Sequence, residues 1–262
     1  MTFQPIVPFG GYTGWLFLQR TLEQQQTAFE NSAAVTRQTD YFRENINAIE
    51  TAEDLVADRR LREVALGAFG LDDDINNNFF IEKILSDGTF SEDALANRLA
   101  DPRYKAFSEA FGFGDFGTPL TATPTFSEDI IERFQARQFE RAVGEVNNDL
   151  RLALNLNVAL DDVTSSVSGS DARWFALLGS PPLRQVVQTA LGLPSQIAAI
   201  DLDQQLTAFK DRAEAVLGTN DVGAFLEPET QEKLIRLFLV RSESSAAVGF
   251  SSGSIALTLL QA

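Results

Sequence analysis

Cysteine and histidine are both absent from this sequence of 262 residues. The chain therefore has no thiol nucleophile, no disulfide, no imidazole base and no zinc site built from Cys and His. Acid–base chemistry is left to carboxylates, lysines and tyrosines, and the carboxylates follow the ordinary pattern of acids at helix starts. Paired acids occur at Asp161 and Asp162, at Asp201 and Asp203, and at Glu227 and Glu229. We predict that the protein is not an enzyme and has no catalytic residue and no cofactor, with a carboxylate-based enzyme as the least favoured alternative.

Positive charge is also scarce, because 21 Lys and Arg stand against 37 Asp and Glu, which gives a formal net charge of −16. Such a surface repels nucleic acid and anionic membranes, and the densest basic run, at residues 58–62, is short and lies among acids. No stretch reaches the roughly 18 apolar residues of a membrane span, and the N-terminus lacks the features of a secretory signal. We predict no nucleic-acid partner, no direct membrane insertion and cytoplasmic synthesis, with leaderless export left open.

Apolar residues recur at helical spacing through most of the chain, and the alternation of a β-strand is hard to find. This pattern predicts an all-α protein of roughly ten helices, either one elongated domain or two packed helical lobes. The Pro-, Gly- and Thr-rich stretch at 114–125 is predicted to link an N-terminal lobe at 1–113 to a C-terminal lobe at 126–245. For the tail at 246–262 two interpretations stay open: a flexible end that a partner orders, or a terminal helix packed on its own domain.

Two near copies, "TFSEDAL" at 89–95 and "TFSEDII" at 125–131, predict helix starts. In each copy a Phe precedes a Ser, two acids follow, and an apolar residue falls at the fourth helical position. The acids would complement the positive end of the helix dipole. Ser91 and Ser127 are therefore predicted as structural N-caps.

Three stretches with the same ending predict helix stops: "LREVALGAFGL" at 61–71, "RYKAFSEAFGF" at 103–113 and "LRQVVQTALGL" at 183–193. A left-handed glycine followed by an apolar residue that folds back onto the last turn gives this pattern. The first and third stretches match further at a constant offset, which indicates a degenerate internal repeat. The predicted caps are Gly70, Gly112 and Gly192.

The second stop runs on into Gly112–Gly117, which has the G-x-G-x-x-G spacing of dinucleotide-binding turns. Such a turn needs a buried strand before it and a helix after it, because the pyrophosphate binds at the helix N-terminus. Here a helix precedes the glycines and a Thr- and Pro-rich stretch follows them. We therefore interpret the segment as the end of a helix and not as a nucleotide site.

A calcium loop is matched only in part at residues 72–83. Asn77 stands where the loop needs a glycine, and Lys83 stands where it needs a glutamate that binds the ion with both oxygens. Capping and solvation of a helix start is the favoured role of these acids. We therefore predict no metal site.

Phenylalanine is abundant, with 21 in the chain and a dense group between residues 107 and 126. Most of these side chains are expected in a core. Aromatic residues close to the predicted linker and in the Gly-rich leader would also suit docking to another protein. The candidate partner-binding residues are Tyr12, Trp15, Phe113 and Phe116.

A family resemblance is carried by "GYTGWLFLQRTLEQQQTAF", "ANRLADPRYKAFSEAFGFGD", "RQFERAVGEVNNDLRLALNL" and "QEKLIRLFLVR". These segments resemble the alphaproteobacterial family catalogued as domain of unknown function twelve-seventeen, most specifically over Asn97 to Phe113. That family is often encoded among flagellar genes, and no catalytic residue is attached to it. The resemblance implies a flagellum-associated structural or assembly protein, whose partners are other flagellar proteins or further copies of itself. A cytoplasmic flagellar export chaperone or adaptor is the alternative.

Overall fold

The computed structural model describes residues 3–249, with the side chains of residues 3–245. This part of the chain is all-α, as predicted, and contains no β-strand. None of its helices combines the length and the apolar character that a membrane crossing requires. Its α-helices are α1 Gly11–Glu30, α2 Ala33–Asn45, α3 Ala52–Ala57, α4 Arg59–Ala68, α5 Asn78–Asp87, α6 Leu95–Arg98, α7 Pro102–Phe111, α8 Phe126–Val146, α9 Asn148–Ser166, α10 Ser170–Gly179, α11 Pro181–Leu191, α12 Leu202–Leu217 and α13 Pro228–Gly249.

The chain divides into two compact units. Unit 1 comprises residues 1–4 and 22–142, and unit 2 comprises residues 5–21 and 143–262. Helices α1 and α8 therefore contribute residues to both units. Of the predicted tail at 246–262, the first four residues continue α13 and the rest lie outside the described residues.

The predicted linker at 114–125 does not join the two units, because all of these residues belong to unit 1. Thr121 is fully buried, and its hydroxyl donates to the Ile49 carbonyl at 2.7 Å. Glycine, proline and threonine are as well suited to tight turns as to linkers, and here they form turns. The boundary falls instead after Ala142, close to the point where Asn147 separates α8 from α9.

The core of unit 1 is built from buried apolar side chains of α2 to α8. Its largest members are phenylalanines whose rings meet one another at centroid distances of 5.1 to 5.4 Å. Burying each such side chain contributes about 1.5–3 kcal/mol. These rings are Phe69, Phe107, Phe111 and Phe126, and all four are buried.

The two serines predicted as N-caps do not occupy that position. Helix α8 begins at Phe126, so Ser127 lies inside the first turn and is buried. The reason is that the Phe126 ring packs into the core as part of the helix. The Ser91 hydroxyl accepts a hydrogen bond from the amide of Asp93 at 3.3 Å, but the nearest helix, α6, begins only at Leu95.

The three glycines at the predicted helix stops have left-handed backbone, with φ of 67° at Gly70, 67° at Gly112 and 68° at Gly192. They follow α4, α7 and α11 respectively. After Gly70 and Gly192 the amide of the next residue, a leucine, reaches back to a carbonyl five residues earlier, at 2.9 and 3.0 Å. This is the Schellman motif, in which a side chain at the glycine would be strained.

Unit 2 contains both tryptophans of the chain, and both are buried. The Trp174 indole N–H donates to the Asn220 carbonyl at 2.8 Å, and its ring meets Phe209 and Phe225 edge to face. Trp15 is only 4% exposed. It therefore belongs to the core and not to a docking surface, which corrects the prediction made for it.

Candidate protein-docking surface

Two phenylalanine rings lie side by side at the surface of unit 1. Phe90 is 72% exposed and Phe116 is 47% exposed, and the rings meet edge to face with their centroids 5.4 Å apart. Single exposed apolar side chains are normal on soluble proteins, whereas adjoining ones point to a binding site. We refer to Phe90 and Phe116 as the exposed aromatic pair.

Each ring of the pair lies on a turn that follows a helix. Helix α5 ends before Gly88 and helix α7 ends before Gly112, and both glycines have φ of 67°. The two turns approach so closely that a Cβ atom on Gly114 would lie 2.3 Å from the backbone nitrogen of Gly88. Because no side chain fits at this contact, glycine is required where the two turns meet.

Asp115 ties the two turns together. One of its carboxylate oxygens accepts the amide hydrogens of Thr89 and Phe90 at 2.7 and 2.9 Å, and the other accepts the Thr89 hydroxyl at 2.9 Å. Burial would raise the pKa of Asp115, but these hydrogen bonds outweigh burial and hold the pKa below its ordinary value. The charged carboxylate therefore fixes one ring of the pair relative to the other.

Two further contacts hold the rings in place. The side-chain amide of Asn97 donates to the carbonyls of Thr89 and Ser91 at 2.7 and 2.8 Å, on either side of Phe90. The Phe116 ring lies over Gly112, where a Cβ atom would come within 2.7 Å of a ring carbon. Both rings are thus positioned by their surroundings although much of their surface faces solvent.

The four predicted docking residues have different environments. Phe116 belongs to the exposed aromatic pair, while Phe113 is half-buried with its ring 5.7 Å from that of Phe111. Tyr12 is half-buried in unit 2, where its hydroxyl donates to Glu232 and this bond raises the pKa of Tyr12. Only Phe113 and Phe116 therefore lie at the same turn.

Phe90 was missed at the sequence level because it matched a helix-start pattern. The near copies at 89–95 and 125–131 place Phe90 and Phe126 in equivalent positions, yet Phe126 is 5% exposed. The one local signal that distinguishes them is Gly88, which makes "DGTF" a turn sequence and not the first turn of a helix.

An open cavity of about 580 Å³ in unit 1 is lined by three carboxylates, two of which cap helices. Asp58 accepts the amide hydrogens of Arg60 and Leu61 at 2.8 and 3.1 Å, and also the Tyr41 hydroxyl at 2.6 Å. Asp54 forms a capping box with the residue that precedes α3. Asp54 and Asp58 are therefore occupied by structural hydrogen bonds, while the third carboxylate of this cavity, Glu50, is exposed to solvent.

The acids that resemble part of a calcium loop are likewise bound by protein groups. Asp72 accepts one hydrogen bond from Gln138 at 2.7 Å and forms an ion pair with Arg141 at 3.0 Å. Asp74 accepts the Tyr104 hydroxyl at 2.7 Å, and burial together with this bond raises the pKa of Tyr104 to about 12. Among the described residues, no group of three or more acids is arranged to hold a metal ion.

Comparison with known proteins places the exposed aromatic pair inside a recognised domain. The family described as "Protein of unknown function (DUF1217)" matches residues 68–230. The chain is also similar to a crystal structure of an Agrobacterium tumefaciens protein, a structural genomics target, with 26% identity and a TM-score of 0.71. That similarity covers 92% of this chain and 98% of the other. No curated protein matches the chain significantly.

Proposed function

We propose, from the premise that the chain belongs to the DUF1217 family, that it is a non-enzymatic flagellum-associated structural or assembly protein that acts through protein–protein contacts. The flagellar part of this proposal is supported by the resemblance to a family often encoded among flagellar genes. Other flagellar proteins are then the expected partners. Export to the flagellum without a signal peptide belongs to the same proposal.

The exposed aromatic pair is the observation that carries the proposed contact function. Aromatic side chains concentrate at the centres of protein interfaces, because they bury a large apolar area and lose little rotamer freedom. The hydrogen bonds of Asp115 and the packing of the Phe116 ring against Gly112 already order Phe90 and Phe116 before a partner binds. A partner would therefore bind without the entropic cost of ordering these turns.

A deletion strain tests this function. We expect loss of swimming and of filament assembly, restored by the wild-type chain and not by the double variant Phe90→Ser with Phe116→Ser. The matched control is Phe79→Ser, because Phe79 is also in unit 1 and is 80% exposed, and it should restore swimming. Immunoblots must show equal amounts of each variant. Normal swimming and normal filaments in the deletion strain would overturn the proposal.

A cytoplasmic flagellar export chaperone or adaptor is the second candidate, favoured by the acidic surface of an all-α chain with net charge −16. Cell fractionation separates the two. Recovery of the chain from the culture medium or from isolated basal bodies supports a structural part. Strict retention in the cytosol, together with the motility defect, supports the chaperone.

A further inference from the structure

We propose that the exposed aromatic pair receives a positively charged protein segment, in which an arginine or lysine lies next to an aliphatic side chain. This inference rests on the proposed function, because it names the chemistry of the partner at the same surface. It depends on three observations: the charges beside the pair, the exposure of the two rings, and the charge of the whole chain.

The charged residues nearest in sequence to each ring of the exposed aromatic pair are acids. The two stretches that carry the rings, residues 84–97 and 106–132, contain acids but no lysine or arginine. Glu92 and Asp93, two and three residues after Phe90, are exposed. Neither forms an ion pair with another residue of the described chain. A partner with positive charges would meet an attractive potential at this surface and would associate faster.

The rings themselves are suited to a cation. An aromatic face carries negative partial charge, so a guanidinium or ammonium group over it gains about 0.5–1 kcal/mol at an exposed site. Elsewhere in the chain guanidinium groups lie over aromatic rings, as Arg60 does over Tyr41 at 3.5 Å and Arg133 over Phe69 at 5.5 Å. Within the described residues no such group covers the exposed aromatic pair. The solvent-exposed part of each ring is therefore available to a cation from a partner.

The net charge of the chain argues against a second copy as the occupant. Two copies would each bring a charge of −16, and the surfaces that meet would carry unpaired acids of the same sign. Anionic membranes and nucleic acids are disfavoured for the same reason. A basic segment with an aliphatic residue satisfies both parts of the surface, since the aliphatic group packs on the rings and the cation meets the acids or a ring face.

Site-specific photo-crosslinking in cells that build flagella tests this inference. The photoreactive amino acid p-benzoylphenylalanine replaces Phe90 in the full chain, and in a matched strain it replaces Phe79. Mass spectrometry then identifies the crosslinked segment. We expect an adduct from position 90, well above that from position 79, with a segment that carries Lys or Arg within one helical turn of the crosslinked atom.

Charge reversal supplies the second readout. The pair Glu92→Lys and Asp93→Lys should lower the yield of the position-90 adduct by about fivefold, because attraction becomes repulsion. The control pair Asp161→Lys and Asp162→Lys changes the net charge equally in unit 2, where both acids are exposed, and should leave the yield unchanged.

Four results would overturn the inference: a crosslinked segment without Lys or Arg, a crosslink to a second copy, a crosslink to lipid or nucleic acid, or no adduct above the position-79 level. The proposed function fails separately, if the deletion strain swims normally. A neutral or acidic segment captured from a flagellar protein would leave the proposed function standing and remove only the proposed partner chemistry.

Discussion

The helix ends at Gly112 and Gly192 have the same left-handed backbone but are closed in different ways. At Gly192 the carbonyls of the last two residues of α11 accept hydrogen bonds from Arg241 and Arg212, which come from other helices of unit 2. At Gly112 the glycine carbonyl accepts the amide hydrogens of Asp115 and of the residue after it, at 3.2 and 3.1 Å. The first end is closed by distant side chains, and the second is closed by its own following turn.

The helix end at Gly70 resembles the one at Gly192. Its carbonyl accepts a hydrogen bond from Arg103, so two of the three glycine stops predicted from the sequence receive an arginine from another helix. The turn after Gly112 closes itself and in doing so places Phe116 at the surface, which is why this end carries the candidate docking surface.

Gly114→Ala should lower the stability of the chain more than any other change proposed here, because it pushes apart the two turns that support the exposed aromatic pair. The new Cβ atom would lie 2.3 and 2.4 Å from backbone atoms of Gly88 and Ser86, which cannot rotate away. We expect a loss of about 3 kcal/mol in the free energy of unfolding, measured by urea titration with circular dichroism.

The matched control is Gly117→Ala in the same turn. Its Cβ atom would meet no other heavy atom within 4 Å, and its φ is not positive. The change should stay within about 0.5 kcal/mol. Equal losses for the two alanine variants would show that the close approach of the turns contributes nothing.

Arg241→Met tests the arginine-closed end and should have the next largest effect. Ala190 is fully buried, and its carbonyl loses the guanidinium donor in this variant. A buried carbonyl without a partner costs about 1–3 kcal/mol, so we expect a loss of about 2 kcal/mol. Arg98→Met, at an exposed position of α6, is the control and should change stability by less than about 0.5 kcal/mol. Equal stability of the two methionine variants would show that the hydrogen bond from Arg241 to the Ala190 carbonyl does not stabilise the fold.

Asp115→Asn should have the smallest effect, about 1 kcal/mol at neutral pH, because the amide keeps one acceptor but loses the charge. The pKa of Asp115 is lowered in the folded chain, so its stabilising contribution is fully present above the unfolded pKa of about 3.9. The contribution is lost as the pH falls through the lowered folded pKa. The stability difference between wild type and variant should therefore be constant from pH 7 to about pH 4.5 and shrink below about pH 3.5. A difference that does not change with pH would rule out the charged carboxylate as its source.

Local sequence was sufficient to predict the helical class and the positions of the glycine-ended helices, because both depend on contacts within one or two turns. It was not sufficient for the candidate surface. Asp115 and Thr89 are 26 residues apart, and no local pattern shows that their turns meet. For the same reason Trp15 and Phe116 looked alike as docking candidates, although one is buried and the other is not.

The placement of the two buried tryptophans gives unit 2 an optical signal of its own. Trp15 and Trp174 both belong to unit 2, and the chain has no other tryptophan. Fluorescence excited selectively in tryptophan therefore follows the unfolding of unit 2, while circular dichroism follows the helices of both units. Coincident transitions in one sample would show that the units unfold together, and separated transitions would give each unit its own stability.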